Sequence, residues 1–449
     1  MDWNLKKMWP VAAASLVAFT SLLSADDSQM QNRQMRDGNM RRDDKMRRDG
    51  DRRDGQKDGR WNNGYWRDYD GDECCDNQGP CDLPLAYTPN ASCWYPSDCE
   101  CGGWFDNWTL TAAATWWKAC EDGLEYVVEV DSPVARASVI DGGEMEHPHS
   151  RYSWGFKVGL GYDFEHDGWD AQATYTWFHS RQHHHHHDDG DCCTTSTEVL
   201  YPLYSDLEGT ALNQLTATEA EAEWKVRMNY VDLELGRAFF TSRWLTLRPH
   251  MGIRGAWIHQ KLDLEYKDTN STYPVTSAAT DDVDMKNHFW GVGVRGGLDS
   301  RWAFCGGWSI YGNLAISILA GRFHVEHSES ATVAGSTVET NVLNFEESFC
   351  TSRAVTDLAL GLMWEHTFCG GCDDKCEPED SRNRRMSRRS GERPGYHLAL
   401  ALGWEQHIWF NQNQFWRVTR PSGANAQSFA HERGDLTTQG LTLTATVGF

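Results

Sequence analysis

Residues 440–449 read GLTLTATVGF. Leu441, Leu443, Ala445, Val447 and Phe449 alternate with Thr442, Thr444, Thr446 and Gly448, so one face is apolar and the other carries hydroxyls or nothing. A period of two marks a strand, here with one oily and one polar side. The pattern recurs upstream. Trp169, Ala171, Ala173, Tyr175 and Trp177 oppose Asp170, Gln172, Thr174 and Thr176. Ile310, Leu314, Ile316 and Ile318 oppose Ser309, Tyr311, Asn313 and Ser317. Leu358, Leu360, Leu362 and Trp364 oppose Arg353, Asp357 and Glu365, and Leu398, Leu400, Leu402 and Trp404 oppose His397 and Glu405.

A small soluble barrel fills its interior with apolar side chains. Strands that carry charge on one face and Leu, Ile and Trp on the other suit the inverse case, polar inside and lipid outside. One strand breaks the rule. Lys225 and Arg227 share a parity with Val231, Leu233 and Leu235, so a β-bulge near Asn229–Val231 is the expected repair, placing Asp232 and Glu234 inside.

Composition points the same way. With 22 Trp, 15 Tyr and 40 Gly, the chain is rich in residues suited to a membrane interface and to sheet curvature. Its mean hydropathy of −0.63 leaves no long apolar segment beyond the amino-terminus. Only helices and closed barrels cross lipid with their backbone groups satisfied, so a spanning chain of this kind has to be a barrel. A formal net charge of −23 argues against non-specific nucleic-acid binding. At the start, Lys6 and Lys7 precede an apolar stretch, Trp9 to Leu23, and then Ser24-Ala25. That is the layout of a signal peptide cleaved after Ala25, too short for the roughly 20 residues of a membrane anchor.

The expected organisation is a signal peptide at 1–25, a disordered Arg/Asp/Gly-rich tract at 26–72, a Cys-rich segment at 73–106 and a barrel at 107–449. Ten strands are read, with eight to twelve as the range: Trp108–Lys118, Arg151–Phe164, Trp169–Ser180, Trp224–Ala238, Trp244–Tyr266, Lys286–Asp299, Trp308–Val325, Phe349–Thr367, Gly395–Phe410 and Thr437–Phe449. Short connections alternate with long polar ones around 120–150, 181–223, 267–285, 327–347 and 411–436. Outer-membrane barrels have short periplasmic turns and long external loops. On that basis the amino-terminal extension is periplasmic. The connection Cys369–Pro394 is the misfit, long on the short side.

Little enzymatic chemistry is visible. Gly291, Gly293 and Gly296 match a dinucleotide-loop spacing, but inside an alternating strand, where the match means little. No catalytic residue and no cofactor are implied. The run His183, His184, His185, His186, His187 offers imidazoles to zinc, copper or nickel, but consecutive residues present no fixed tetrahedral set, and a solvated loop tip is the simpler reading. Cys74, Cys75, Cys81, Cys93, Cys99 and Cys101, with Cys305, Cys369, Cys372 and Cys376, read as disulfides in an exported chain, internal or to other envelope proteins; pairing is not deducible. Arg248, Arg254, Arg295 and Arg353 share the polar face with Asp170, Asp232, Glu234, Asp357, Glu365 and Glu405. Such charges line a water path or close it with salt bridges, and ten strands leave at most a narrow passage.

The strand ending flush at Phe449 resembles the closing strand that the barrel assembly machinery recognises in bacterial outer-membrane barrels. The stretches WGFKVGLGYDFEHDGWDAQATYTWFHS, NYVDLELGRAFF, LTLRPHMGIRGAWI, LGWEQHIWFNQNQF and LTTQGLTLTATVGF resemble the Legionella-type major outer-membrane proteins, which also occur in Chlamydia-related bacteria. The likeness runs over most of 107–449. It implies a surface-exposed, pore-forming porin in outer-membrane lipid that passes small solutes or ions. The alternative is a structural or adhesive protein with a plugged barrel, crosslinked through its cysteines into the envelope. The tract at 26–106 has no counterpart in the resemblance; a tether to peptidoglycan or an envelope partner and a solvated spacer are its two readings.

Overall fold

The computed structural model describes residues 107–131, 143–164, 168–187, 198–209, 214–242, 244–304, 306–368, 396–420 and 427–449, all within the unit spanning residues 76–449. The expected signal peptide, Arg/Asp/Gly-rich tract and Cys-rich segment lie outside them, as do Cys305, Cys369, Cys372 and Cys376.

Ten antiparallel strands close into a barrel among the described residues: β1 (Trp108–Glu121), β2 (Tyr152–Asp163), β3 (Trp169–His187), β4 (Glu219–Arg237), β5 (Leu245–Lys267), β6 (Ala278–Ala303), β7 (Trp308–Val333), β8 (Glu339–Phe368), β9 (Tyr396–Trp409) and β10 (Leu436–Gly448). Each pairs with its neighbour in sequence, and β10 closes the ring on β1 from Thr109↔Gly448 to Glu121↔Leu436. The Asn107 N–H donates to the Phe449 carbonyl at 3.1 Å, so both ends of the barrel chain meet at the short-turn end.

Every expected strand is present, and several are longer than expected toward the other end. The segment 327–347, expected as a polar connection, is mostly strand: β7 runs to Val333 and β8 resumes at Glu339, with Gly335 at φ +80° in the turn between. Its alternation is broken at Val342, where the register between β7 and β8 shifts by one residue beside Glu329 and Ser330.

The expected bulge on β4 is absent. Register with β3 and β5 runs unbroken through Asn229–Val231. Even-numbered residues from Ala220 to Gly236 all face inward; what changes is the medium outside. Toward the short-turn end the outward residues are Val231, Leu233 and Leu235 and the inward ones Asp232 and Glu234. Toward the long-connection end the outward residues are Glu221, Glu223, Lys225 and Arg227, and the inward ones are Ala222, Trp224, Val226 and Met228. The strand leaves the apolar band near Asn229. Beyond it water is outside, so burial favours apolar side chains inside. Strand β5 inverts likewise, from outward Met251, Ile253 and Trp257 to outward Lys261, Asp263 and Glu265.

The apolar band is bounded by aromatic rings. Trp108, Trp169, Phe239, Trp302, Trp308, Tyr396 and Phe449 ring the short-turn end, and Trp116, Trp154, Trp257 and Trp404 lie toward the other. Eight to twelve residues separate the two along a strand, about 20–30 Å along the axis at a tilt near 40°. That is the height of a bilayer's hydrocarbon region.

Above the band the barrel has a core. Trp117, Phe178, Trp224, Ile258, Leu262, Phe289, Phe323 and Trp409 are buried in one cluster with Leu124, Tyr126, Leu200 and Phe415 from the long connections. Each such side chain contributes about 2 kcal/mol on burial. The connections have structure of their own: Glu144–Glu146, Val127–Asp131 and Glu198–Pro202 form a three-stranded sheet, and Trp416–Thr419 pairs with Ser428–His431. The expectation of a polar interior thus holds only within the band.

Inside the band Tyr311 lies across two glycines. A Cβ at Gly403 would run into the Tyr311 Oη, and one at Gly361 would meet the Tyr311 Cε1 at 2.7 Å. Gly403→Val should expel the ring and cost about 1–3 kcal/mol, read as a lower urea midpoint in detergent; an unchanged midpoint would show that the tyrosine swings free.

Candidate functional site: a charged layer across the bore

Inward positions of seven strands converge within the band. Arg254 (β5), 1% exposed, donates from Nε and Nη2 to the two carboxylate oxygens of Asp232 (β4) at 2.6 and 2.7 Å. Its Nη1 lies 2.8 Å from Asp357 Oδ2 (β8). The guanidinium also sits over the Tyr230 ring at 4.8 Å and the Trp409 ring at 5.8 Å. Arg295 (β6) donates to Glu234 at 2.7 Å and pairs with the same Asp357. One carboxylate therefore joins two arginines, and His407 (β9) approaches it through Nδ1 at 2.7 Å. The chain continues from His407 Nε2 to Glu405 at 3.4 Å, and from Glu405 to Lys157 (β2).

On the other side Arg248 (β5) bonds Asp170 (β3) through Nε at 2.8 Å and Asp299 (β6) through Nη1 at 2.7 Å. His250 lies 3.4 Å from Glu234 and 3.7 Å from Asp299, linking the two groups. Charge-assisted bonds of this kind are short and strong where water is excluded. Toward the short-turn end they bound a cavity of about 310 Å³, lined by Thr109, Thr446, Asp170, Arg248, Asp299, Arg301, Tyr311, His397 and Glu405 among others. On the opposite side the layer meets the apolar core: Trp117, 1% exposed, packs tilted against His407 with ring centroids 4.8 Å apart and donates to Thr442 at 3.1 Å.

The sequence placed Asp170, Asp232, Glu234, Arg248, Arg254, Arg295, Asp357 and Glu405 on the inner face, and the fold brings all eight into this layer. Glu365 faces inward too, paired with Arg301 nearer the short-turn end. Arg353 stands apart above the layer, its guanidinium 4.7 Å from the Phe323 ring. Lys157, His250, Asp299, Arg301 and His407 were missed. Parity alone could have found them: Lys157 shares the face of Gly155, Gly159 and Gly161, His250 lies between Arg248 and Arg254, Asp299 and Arg301 share the face of Arg295, and His407 follows Glu405.

The histidine run is a continuation of β3, not a loop tip, and pairs with Glu219–Glu223. His183 and His185 lie 3.5 and 3.7 Å from Glu221, whereas His184 meets the Tyr126 hydroxyl at 2.9 Å. Alternation thus splits the imidazoles between two faces. No metal-ligating group of three assembles among the described residues. Cys120 and Cys350 are free thiols.

A second polar cluster fastens a long connection beyond the band. Glu329 (β7) accepts from the Asp206 N–H at 2.9 and 3.0 Å and from the Ser205 hydroxyl at 3.2 Å. Asp281 (β6) is fully buried beside it, and Arg420 donates to Asp206 at 2.8 Å. Burial, reinforced by Asp282 and Asp206, pushes the Asp281 carboxyl up to about 7, and burial with the Asp281 charge raises Glu329 as well. A carboxyl whose value rises on folding favours the folded state when protonated, and that advantage is lost as pH climbs from about 4 through about 7. The protection factors of the Asp206 and Leu207 amides, with the base-catalysed intrinsic rate divided out, should therefore be lower at pH 8 than at pH 5, with the difference abolished in Asp281→Asn. Equal protection at both values would discard this latch.

A family model described as Legionella pneumophila major outer membrane protein precursor matches residues 104–371. No curated relative matches the chain. Among solved structures, the outer membrane protease OmpT from Escherichia coli is 9% identical with a TM-score of 0.32, covering 78% of this chain and 99% of its own. The Pseudomonas putida toluene transporter TodX is 6% identical with a TM-score of 0.17, covering 83% and 98%. A Pseudomonas aeruginosa FadL homologue is 7% identical with a TM-score of 0.19, covering 76% and 89%. Likeness at this level carries none of their activities over.

Proposed function

The chain belongs to the family of the Legionella pneumophila major outer membrane protein, and from that premise we propose an outer-membrane barrel closed at mid-height, with an envelope-structural and surface-contact role rather than open diffusion. The carrying observation is the stacking of two filled layers: Arg254 at 1% exposure paired across to Asp232 and Asp357, with Trp409 over it and Trp117 against His407, at 0% and 1%. Ten strands enclose little more than side chains can fill. The long connections, capped and structured, face the exterior in this reading, and the amino-terminal segment lies in the periplasm with its cysteines free to crosslink partners.

A second reading keeps the porin. The polar cavity of about 310 Å³ is a vestibule at the short-turn end, and a barrel that breaks its ion-pair layer would pass small solutes. Planar bilayers separate the two. The parent should carry no steady ohmic current, and Arg254→Gln with Arg295→Gln should begin to leak. A parent that conducts steadily, with only its ion preference altered in the variant, returns the porin to first place. Epitope tags at Gly335 should be reached on intact cells; protection there would reverse the orientation.

A further inference from the structure

The outer surface beyond the apolar band carries a patch that the closed bore does not use. Register through β3–β7 sets His179, Arg227, His259, His288 and His324 in one row, each directly across from the next. The adjoining row toward the band holds Trp177, Trp257, Trp290 and Arg322. The rings of His259 and His288 are 4.8 Å apart, and those of His288 and His324 are 6.5 Å apart. Five adjacent strands thus present an imidazole or guanidinium on a chain whose formal net charge is −23.

The charges around it leave this row in excess. One step farther out stand Arg181, Lys225, Lys261 and Lys286, each engaged by an acid: Lys261 with Asp263 and Asp284 at 2.6 and 2.9 Å, Lys225 with Asp263 at 3.3 Å, Lys286 with Glu326 at 2.8 Å, and Arg181 with Glu223. Within the row, Glu326 reaches His324 at 3.1 Å, and Ser348 bonds the same ring at 2.8 Å. Among the described residues no carboxylate is within ion-pair distance of Arg227, His259 or His288. Partial burial holds His259 and His288 below the ordinary imidazole range; His288 and Arg227 add to this at His259, whereas at His288 the Glu326 carboxylate opposes His324 and Lys286. An arriving anion counters the neighbouring positive charge and draws protons onto them.

The geometry points to a docking patch for the phosphate groups of a membrane glycolipid. Trp257 and Trp290 mark the interface, where an aromatic ring sits at headgroup level, and the row begins one step beyond. A free phosphate would gain nothing from a site laid along an apolar band. Because strands tilt, a row perpendicular to them climbs about 3 Å per strand, roughly 12 Å from His179 to His324. A headgroup with phosphates at one depth meets only part of that slope; a glycolipid phosphorylated at several positions meets more of it. The inference rests on the barrel lying in a membrane, not on whether its bore is open.

The test uses the full chain in phosphatidylcholine nanodiscs doped with a bisphosphorylated glucosamine lipid, its dephosphorylated form, or phosphatidylglycerol, with retained lipid counted by native mass spectrometry. Insertion of the heat-modifiable barrel establishes the membrane reading by itself. The bisphosphorylated lipid should be retained at least about fivefold over its dephosphorylated form at pH 5.5, since each basic group near a lipid surface is worth a factor of this order. That preference should shrink by pH 8, as the imidazoles lose charge. His259→Gln with His288→Gln should shrink the pH dependence, leaving only His179 and His324 to titrate, Arg227→Gln should weaken retention at both values, and His288→Lys should preserve it at pH 8. Millimolar inorganic phosphate should not compete. Equal retention of phosphorylated and dephosphorylated lipid by an inserted barrel overturns the patch. Phosphatidylglycerol held as well as the glycolipid overturns the multi-depth assignment, and full competition by inorganic phosphate overturns the lipid one.

Discussion

Arg254→Met should be the most damaging single substitution in the barrel, lowering unfolding stability by about 3–5 kcal/mol. The guanidinium donates twice to Asp232, at 2.6 and 2.7 Å, lies within ion-pair distance of Asp357 at 2.8 Å, and is itself 1% exposed. Removing it strands the Asp232 carboxylate, whereas Asp357 keeps Arg295 and His407. The cost is that of stranded charge, not of the lost pair alone, so neutralising the stranded partner should recover much of it. Asp232→Asn added to Arg254→Met should restore the urea midpoint most of the way toward the parent. A single variant within about 1 kcal/mol of the parent would mean that the layer is hydrated, and the open-bore reading would gain.

The second large effect tests the inversion along the strands. Met251 and Leu262 lie on opposite faces of β5, Met251 outward in the band at 68% exposure and Leu262 inward beyond it at 0%. Both should reject lysine, for different reasons. Met251→Lys places a charge against lipid, at about 2–4 kcal/mol near the midplane. Leu262→Lys buries an unpaired charge in the apolar core and should prevent the heat-modifiable barrel from forming. Lys261→Leu, outward beyond the band, loses only solvent-screened ion pairs and should stay within about 1 kcal/mol. If Leu262→Lys folded as stably as Lys261→Leu, the upper interior would be wet, and neither the core nor the closed bore would stand.

Much of this was legible in the chain. Alternation from Trp108 to Phe449 gave the strands, the pattern of short and long connections gave their antiparallel order, and parity put Asp170, Arg248, Arg254, Arg295, Asp357 and Glu405 on the inner face, with Asp232 and Glu234 joining them through an expected bulge that the fold does not have. Local pattern suffices there because a strand's side-chain period is fixed at two, whatever it packs against. Strand length was less legible. Where β7 and β8 extend beyond the band, the shift at Val342 breaks the period among serine, threonine and glutamate, and nothing in their order distinguishes a paired strand from a solvated loop.

Partnership is where the sequence ran out. Parity states that Arg254 and Asp357 face inward, but Asp357 is four strands along the chain from Asp232, and only closure of β10 onto β1 sets both against one guanidinium. The apparent bulge at Asn229 has the same origin. Read locally, an apolar residue following two basic ones on one parity signals a slipped register; in the folded barrel it marks where the surroundings change from water to lipid. The sequence by itself determined the period, the inward parity and the exported, membrane-adapted composition. The tertiary structure alone decided which inward charges meet and where the interior turns from polar to apolar, because those depend on shear around a closed ring and on the height of each residue above the band.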